Sequence, residues 1–268
     1  MQAEIGIIGG TGLDDPKLFS NIKEVTVDTP YGKPSDAISI GELGGKSVAF
    51  LPRHGKKHTI RPTDIPVRAN IWALKSLGVK HILSSSTVGS LREEYEPGDM
   101  VVVDQFIDRT TKREQSFYTM AESKVCHIGV AEPTCPELRK VVIDAAKKLK
   151  IKHHETGTYV CIEGPRFSTK AESKMFRGWG ADIVGMTLVP ECILAREAEI
   201  CFANMSLVTD YDVWKDHPVC IGDIVRVMSA NIENVKKIIV ETVKALPSEQ
   251  SCNCNCNKAL DGAFAQKN

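Results

Sequence analysis

Two aspartates, Asp210 and Asp212, follow one of the most apolar stretches of the sequence. Residues 200–208 predict a buried strand that ends where this acidic pair begins. In open α/β sheets, ligands bind beyond the carboxyl ends of the strands, and two carboxylates there are costly to desolvate unless something binds them. Such a pair can hydrogen-bond a planar, nitrogen-rich ligand, with one acid as proton donor. Taken alone, the pattern equally fits a solvated turn or a helix cap.

Other predicted strand ends carry groups that suit an anion. Residues 9–12 form a Gly-Gly-Thr-Gly turn with backbone N–H groups and a hydroxyl. Arg53 offers a guanidinium that can bind phosphate bidentately, and residues 84–87 offer four hydroxyls. Thr187 follows a fourth predicted strand. Each loop alone fits a plain polar turn, but one shared phosphate site is the better joint explanation.

The glycine spacing does not match the common nucleotide-binding signatures. Glycines at 6, 9, 10 and 12 do not form G-x-G-x-x-G, and no Gly-Lys-Ser/Thr sequence follows them. Magnesium-binding signatures are also missing. We therefore expect free orthophosphate as a reactant, and neither a cofactor nor a metal.

Predicted strands and helices alternate along the chain, which predicts an α/β fold with a largely parallel or mixed sheet covered on both faces. The predicted strands are residues 4–8, 47–51, 80–85, 100–103, 157–162, 182–185 and 200–208. The predicted helices are residues 66–77, 136–150, 170–177, 191–198 and 223–246. We predict one domain over residues 1–246 and a polar, Cys-rich, loosely held tail over residues 247–268.

The overall composition is that of an ordinary globular protein. Its 34 basic and 34 acidic side chains give zero net charge, so no nucleic-acid or anionic-membrane partner is expected. No apolar run approaches the ~18 residues of a membrane span, and the first residues lack a signal-peptide pattern. We expect a cytoplasmic protein.

Nine cysteines stand out against this expectation. Six are scattered through apolar surroundings, where free cysteine behaves as a small hydrophobe. Cys252, Cys254 and Cys256 form a C-N-C-N-C run whose spacing does not fit the C-x₂-C zinc pattern. Intracellular disulfides are known in hyperthermophiles. Structural disulfides are the first interpretation, free thiols the second and a metal site the third.

Several motifs closely resemble those of 5′-methylthioadenosine phosphorylases. They are residues 5–14 (IGIIGGTGLD), 52–55 (PRHG), 89–94 (GSLREE), 104–111 (DQFIDRTT), 162–168 (IEGPRFS), 186–187 (MT), 189–191 (VPE) and 209–215 (TDYDVWK). The similarity covers roughly residues 4–246 in uninterrupted order. It implies the purine nucleoside phosphorylase fold, a single α/β domain around a twisted mixed sheet, assembled as a trimer or a dimer of trimers.

The resemblance also implies a reaction, in which phosphate cleaves the N-glycosidic bond of methylthioadenosine to give adenine and 5-methylthioribose 1-phosphate. It implies that phosphate is held by Thr11, Arg53, His54, Ser86, Thr87 and Thr187. Relatives commonly carry Thr and Ala at positions 86 and 87, so Ser86 keeps the hydroxyl and position 87 is expected to act through its backbone N–H.

The same resemblance assigns the nucleoside contacts. Met186 is expected beside the ribose, with Phe167 and Ser168 at the base. Asp210 and Asp212 are expected to face purine N7 and the 6-amino group, with Asp210 as the catalytic group. The one residue expected to reach across a subunit boundary, toward the 5′-alkylthio group, is His127.

Other functions stay open at this stage. Aspartate at position 210 favours a 6-amino purine, because phosphorylases for 6-oxo purines usually carry Asn there. The alternatives are a purine nucleoside phosphorylase of broader or 6-oxopurine specificity, a water-dependent nucleosidase, a non-catalytic purine-binding module and a dehydrogenase. Adenosine is a further expected substrate, because the C-terminal region that closes the alkylthio pocket in relatives diverges here into the Cys-rich tail.

Overall fold

The computed structural model describes residues 2–10, 13, 18–118, 124–215, 221–247 and 254–264. Its strands within these ranges are β1 (Ile5–Gly9), β2 (Ser20–Val25), β3 (Ile38–Leu43), β4 (Lys46–Pro52), β5 (His81–Ser90), β6 (Met100–Val102), β7 (Gln105–Arg109), β8 (His153–His154), β9 (Thr158–Ile162), β10 (Ile183–Gly185) and β11 (Cys201–Asp210). Its helices are α1 (Val67–Ser76), α2 (Pro136–Lys148), α3 (Lys170–Gly178), α4 (Leu188–Glu197) and α5 (Ile221–Ala245). In these described ranges, no helix has the length and apolar character to cross a membrane.

All these strands belong to one mixed sheet, in which β5 is the central strand. The main path runs β2-β3-β4-β1-β5-β10-β9-β7, and β5 also pairs with β11, which leads on to β6 and β8. Strand β5 is parallel to β1 and β11 and antiparallel to β10, while β4 is parallel to β1. The carboxyl ends of β1, β4, β5 and β11 therefore meet at one edge of the sheet.

Two apolar cores lie on opposite faces of the sheet, because successive strand residues point to opposite sides. Ile8 and Phe202 pack in one core with side chains of α1 and α4, whereas Ile7 and Ala203 pack in the other with α2 and α5. This is the buried, helix-covered arrangement that makes parallel strands apolar throughout. The predicted α/β class, with a mixed central sheet flanked by helices, is confirmed.

The hydroxyl-rich residues 84–87 lie inside β5, which continues to Ser90, so the prediction that this strand ends at residue 85 is wrong. Buried hydroxyls are tolerated there because β11 supplies cross-strand partners. The Ser86 hydroxyl lies 3.1 Å from that of Ser206, and the Asn204 amide donates to Ser84 Oγ at 3.2 Å. Polar residues in the middle of a buried strand are thus explained by a second polar strand beside it.

Strand β11 carries a bulge just before its acidic end. Ser206 pairs with Ser86 and Val208 with Val88, but Asp210 pairs with Gly89. Thr209 is therefore an extra residue in β11, and the bulge changes the face to which the next side chain points.

The described part of the C-terminal tail, residues 254–264, packs against the domain. Phe264 forms a β-bridge with Cys126, and Cys256 and Ala263 are buried. For these residues the expectation of a loosely held tail is wrong. Cys254 is disulfide-bonded, whereas six other described cysteines are free thiols, so the predicted structural disulfides are not supported among Cys126, Cys135, Cys161, Cys192, Cys201 and Cys256. The domain boundary at residue 246 stays a prediction.

Candidate active site

One cavity of about 660 Å³ opens where the carboxyl ends of the central strands meet. Ten of the sequence-predicted site residues line its wall. They are Arg53, His54, Ser86, Thr87, Phe167, Ser168, Met186, Thr187, Asp210 and Asp212. The remaining two predicted residues are not placed in this wall. Thr11 lies outside the described residues, and His127 is not among the lining residues of the single chain.

Arg53 is held at the cavity floor by a buried ion pair. Its guanidinium bonds Glu191 through Nε and also through Nη2, which lies 3.0 Å from Oε2. Nη1 donates to the Ser85 carbonyl at 2.7 Å, and Nη2 donates to Ser84 Oγ at 2.8 Å. The exposed fractions are 2% for Arg53 and 1% for Glu191, so both charges are desolvated and depend on each other.

This geometry corrects the prediction of a bidentate grip on phosphate by Arg53. A guanidinium has five N–H donors. Glu191, Ser84 and Ser85 accept four of these bonds, which leaves one N–H, on Nη1. Arg53 can therefore give phosphate one directed hydrogen bond, from a side chain whose orientation the protein has already fixed.

His54 beside it is a neutral residue at neutral pH. Burial, the largest cause, lowers the pKa of His54 to about 4, and the nearby charges of Arg53 and His58 add to that effect. Its Nδ1 lies 2.8 Å from the Ile60 carbonyl oxygen, so Nδ1 carries the hydrogen and Nε2 is an acceptor. Nε2 can therefore accept the hydroxyl hydrogen of a protonated phosphate.

Thr187 offers a buried hydroxyl that makes no hydrogen bond of standard geometry with the residues that the structure describes. Its backbone N–H donates to the Tyr159 hydroxyl at 3.2 Å, which fixes the residue between β10 and α4. The side chain stands at the start of α4 but does not cap that helix. An orphaned buried hydroxyl in a cavity wall is costly unless a ligand pairs with it.

We expect Thr187→Val to raise the KM for phosphate by about tenfold to a hundredfold, the equivalent of losing one hydrogen bond of about 1.5–3 kcal/mol to a charged group. Valine keeps the shape and removes the unpaired oxygen, so the phosphate-free protein should keep its Tm. Initial-rate kinetics at varied phosphate would measure this. The matched control is Thr242→Val, because Thr242 is a second buried, unpartnered threonine outside the cavity wall. Equal KM values for both variants would contradict the role of Thr187.

The opposite end of the cavity holds the two aspartates. Asp210 Oδ2 accepts a hydrogen bond from the Thr209 hydroxyl at 2.8 Å, and Oδ1 accepts one from the Asp212 backbone N–H at 2.7 Å. Burial, the largest cause, raises the pKa of Asp210 and also that of Asp212. Asp212 Oδ2 is buried and makes no hydrogen bond of standard geometry with the described residues, although the nearby hydroxyls of Ser173 and Ser168 act to lower the pKa of Asp212. These are the properties that a polar, nitrogen-containing ligand would satisfy.

Gly89 lies directly beside this pair, where an added side chain would be tightly crowded. A Cβ at this position would stand 3.0 Å from Asp210 Oδ1 and 3.2 Å from Asp212 Cα. Both contacts are tighter than ordinary van der Waals distances, so an added methyl would displace the aspartates.

We expect Gly89→Ala to lower kcat/KM for the nucleoside by at least about tenfold, because overpacking by one methyl costs about 1–3 kcal/mol and here acts on the two carboxylates. The KM for phosphate should change little, since the phosphate end lies elsewhere in the cavity. Gly178→Ala is the control, because a Cβ at Gly178 meets nothing within 4 Å. A wild-type kcat/KM in Gly89→Ala would contradict the inference that a methyl group here displaces the two aspartates.

The comparisons with known proteins agree on one family. The family model described as "Phosphorylase superfamily" matches residues 4–244. An S-methyl-5′-thioadenosine phosphorylase of Thermofilum pendens is 53% identical over 98% of this chain and 99% of its own. That of Nitrosopumilus maritimus is 54% identical over 98% of each chain. Among solved structures, methylthioadenosine phosphorylase from Schistosoma mansoni in complex with adenine superposes with a TM-score of 0.93, at 38% identity over 98% of this chain and 99% of that one.

The chain belongs to the 5′-methylthioadenosine phosphorylase family. A variant of the Schistosoma mansoni protein, described as an adenosine/methylthioadenosine phosphorylase, was solved with methylthioadenosine bound. Its TM-score is 0.91 at 41% identity, with 97% of each chain covered.

Two features of the candidate site were not predicted from the sequence. Glu191, which holds Arg53, lies in a motif quoted above, and an acidic residue in the apolar first turn of α4 was the available signal. For residues 223–246 the sequence predicted a helix and no site residue, yet Ile224, Met228 and Ile232 of α5 line the cavity. The period of a stripe identifies a buried face but does not distinguish a core from a cavity wall.

Proposed function

We propose that this protein cleaves 5′-methylthioadenosine with orthophosphate, giving adenine and 5-methylthioribose 1-phosphate, as a pentosyltransferase of purine salvage. The observation that carries the proposal is the shared cavity. Its walls combine a fixed arginine and an unpaired hydroxyl at one end with two buried aspartates of raised pKa at the other.

The phosphate end would hold the nucleophile. Arg53 gives one N–H, the Thr187 hydroxyl gives a second donor, and Nε2 of His54 accepts from the phosphate. Ser86 and Thr87 lie in the same wall, and the resemblance also assigns Thr11 to phosphate. A phosphate oxygen held in this way attacks the sugar carbon C1′ while the bond from C1′ to purine N9 breaks. The phosphate charge stabilises the positive charge that develops on the sugar.

The base end would stabilise the leaving group. As the glycosidic bond breaks, negative charge develops on the purine, and a proton delivered to N7 neutralises it. Asp210 is the donor that we assign, because burial raises its pKa and keeps its acid form present at higher pH. Asp212 Oδ2, which makes no hydrogen bond of standard geometry with the described part of the chain, would accept from the 6-amino group.

The sugar and its substituent would occupy the apolar middle of the cavity. Met186 lies beside the expected ribose position, and Phe167 and Ser168 flank the base. The apolar side chains of α5 suit a 5′-methylthio group, and they leave room for adenosine as a second substrate. His127 is assigned to the neighbouring subunit's alkylthio pocket in a trimer or a dimer of trimers. We further propose a cytoplasmic enzyme without a cofactor.

Product analysis with methylthioadenosine, adenosine and inosine, each with and without phosphate, tests this proposal. We expect adenine and a sugar 1-phosphate from the first two substrates, only when phosphate is present. Turnover in phosphate-free buffer would indicate a nucleosidase, and a preference for inosine would indicate a 6-oxopurine phosphorylase. Adenine binding without any turnover would indicate a non-catalytic module.

A further inference from the structure

Four cysteines converge at the end of the sheet opposite to the cavity. They are Cys135, Cys201, Cys254 and Cys256, and their sulfur atoms all lie within 4.8 Å of one another. Cys201 begins β11 and Asp210 ends it, so the cluster lies about 30 Å from the aspartates at roughly 3.3 Å per residue. The mechanism proposed above uses none of these residues.

The spacing of the sulfur atoms suits a tetrahedral metal site. Four thiolates at about 2.3 Å from one zinc ion stand roughly 3.8 Å apart. The sulfurs of Cys201 and Cys254 are 3.6 Å apart, and all four fall within the limit given above. Three separate chain segments supply the ligands, namely the start of α2, the start of β11 and the C-terminal segment.

Two N–H groups of the protein lie beside sulfur atoms of the cluster. The Leu138 backbone N–H, in the first turn of α2, donates to Cys135 Sγ at 3.4 Å. The guanidinium nitrogen Nη1 of Arg196 lies 3.9 Å from Cys256 Sγ. A second shell of N–H donors and one cation is what stabilises the excess negative charge of a four-thiolate site.

We propose that these four cysteines bind one Zn²⁺ as a structural site. Cys254 is disulfide-bonded in this structure, so a cellular dithiol must first reduce that bond to two thiols, becoming a disulfide itself. The four ligand thiols then release their protons to solvent as the four zinc–sulfur bonds form. Soft thiolates in tetrahedral geometry select zinc over magnesium or calcium.

The site would fasten the C-terminal segment to the domain. That segment contacts the strand-like stretch around His127, whose backbone N–H donates to the Ala263 carbonyl at 2.8 Å. Phe264 lies beside Tyr118, with ring centroids 4.8 Å apart. Metal binding would therefore hold in place the stretch that carries a predicted substrate residue, and it would raise the thermal stability of the protein.

The test uses the full chain, reduced with dithiothreitol, desalted without oxygen, loaded with Zn²⁺ and desalted again. Elemental analysis should give one zinc per chain, and Co²⁺ loading should give the intense visible bands of tetrahedral thiolate coordination. Zinc loading should also raise the Tm. Cys201→Ser and Cys256→Ser should each lose the zinc, whereas Cys192→Ala should retain it, because Cys192 is an equally buried thiol outside the cluster.

Three results would overturn the proposal. The first is a reduced wild-type chain that keeps much less than one zinc. The second is zinc retained undiminished in both serine variants, which would place it elsewhere. The third is iron in place of zinc in protein purified under reducing conditions. The wild-type measurement stands even if a serine variant fails to fold.

Discussion

Asp210→Asn is expected to lower kcat for methylthioadenosine by about 10²–10⁴-fold, the range over which a positioned general acid accelerates a reaction. Asparagine preserves the shape of the side chain, and its single oxygen can still accept one of the two hydrogen bonds that Asp210 accepts from the Thr209 hydroxyl and the Asp212 backbone N–H. It cannot release a proton to N7. Steady-state kinetics should therefore show a large fall in kcat with a small change in KM.

The pH dependence provides a readout that a structural defect would not reproduce. Burial raises the pKa of Asp210, so its acid form persists to higher pH than that of an exposed aspartate and declines as the pH rises through this pKa. The kcat of the wild-type protein should fall along that limb, and the limb should be missing in Asp210→Asn. The amide should also shift the preference toward inosine over adenosine, because it can pair with O6 and N7. Unchanged phosphorolysis of methylthioadenosine by the variant would rule out this role.

Glu191→Gln is expected to lower the free energy of unfolding by about 3–5 kcal/mol, the usual result of removing one partner from a buried ion pair. Glutamine retains one acceptor oxygen but no charge, so Arg53 would remain buried as an uncompensated cation. The guanidinium would also lose the bonds that fix its orientation, and the KM for phosphate should rise. Urea unfolding in phosphate-free buffer and initial-rate kinetics would measure the two effects.

A matched control exists in the same helix. Glu197 is also buried, but it accepts from the Ser116 hydroxyl at 2.8 Å and the Phe117 backbone N–H at 2.7 Å, with no cation involved. Burial raises the pKa of Glu197, so replacing it by glutamine costs less than replacing an ion-paired carboxylate. If Glu197→Gln were as destabilising as Glu191→Gln, the cost would reflect loss of a buried carboxylate in general. The ion pair with Arg53 would then contribute no stability beyond that of any buried, hydrogen-bonded carboxylate.

The sequence predicts those parts of the fold and site that depend on local pattern. The apolar run before Asp210 predicted β11, and alternation of strands and helices predicted the α/β sheet, because burial on both faces leaves continuous apolar strands. Motif residues at successive strand ends do meet in one cavity, as expected where parallel strands share an edge. The local sequence pattern, together with the rule that parallel strands end at one edge of a sheet, was enough to predict the sheet and the place of the cavity.

What the sequence did not reveal are contacts between distant segments. The strand was predicted to end at residue 85, among the hydroxyls of residues 84–87, because the local sequence does not show that Asn204 and Ser206 are their hydrogen-bond partners. The saturation of Arg53 by Glu191 likewise joins residues 138 positions apart. The four cysteines gather from three segments, so their spacing in the tail alone did not suggest a metal site. Each is a consequence of tertiary packing, which pattern reasoning does not reach.

The bulge in β11 means that backbone register, as well as residue type, controls which way the Asp210 carboxylate faces. Thr209 is the inserted residue, and side chains alternate between faces with a period of two. Without the bulge, the same chain would place Asp210 opposite Ser90 and turn its side chain toward the other face of the sheet. Deleting Thr209 would keep the aspartate opposite Gly89, but it would remove the hydroxyl that bonds Asp210 Oδ2. A substitution that closes the bulge without shortening the chain would therefore misdirect Asp210 while both aspartates remain in the sequence.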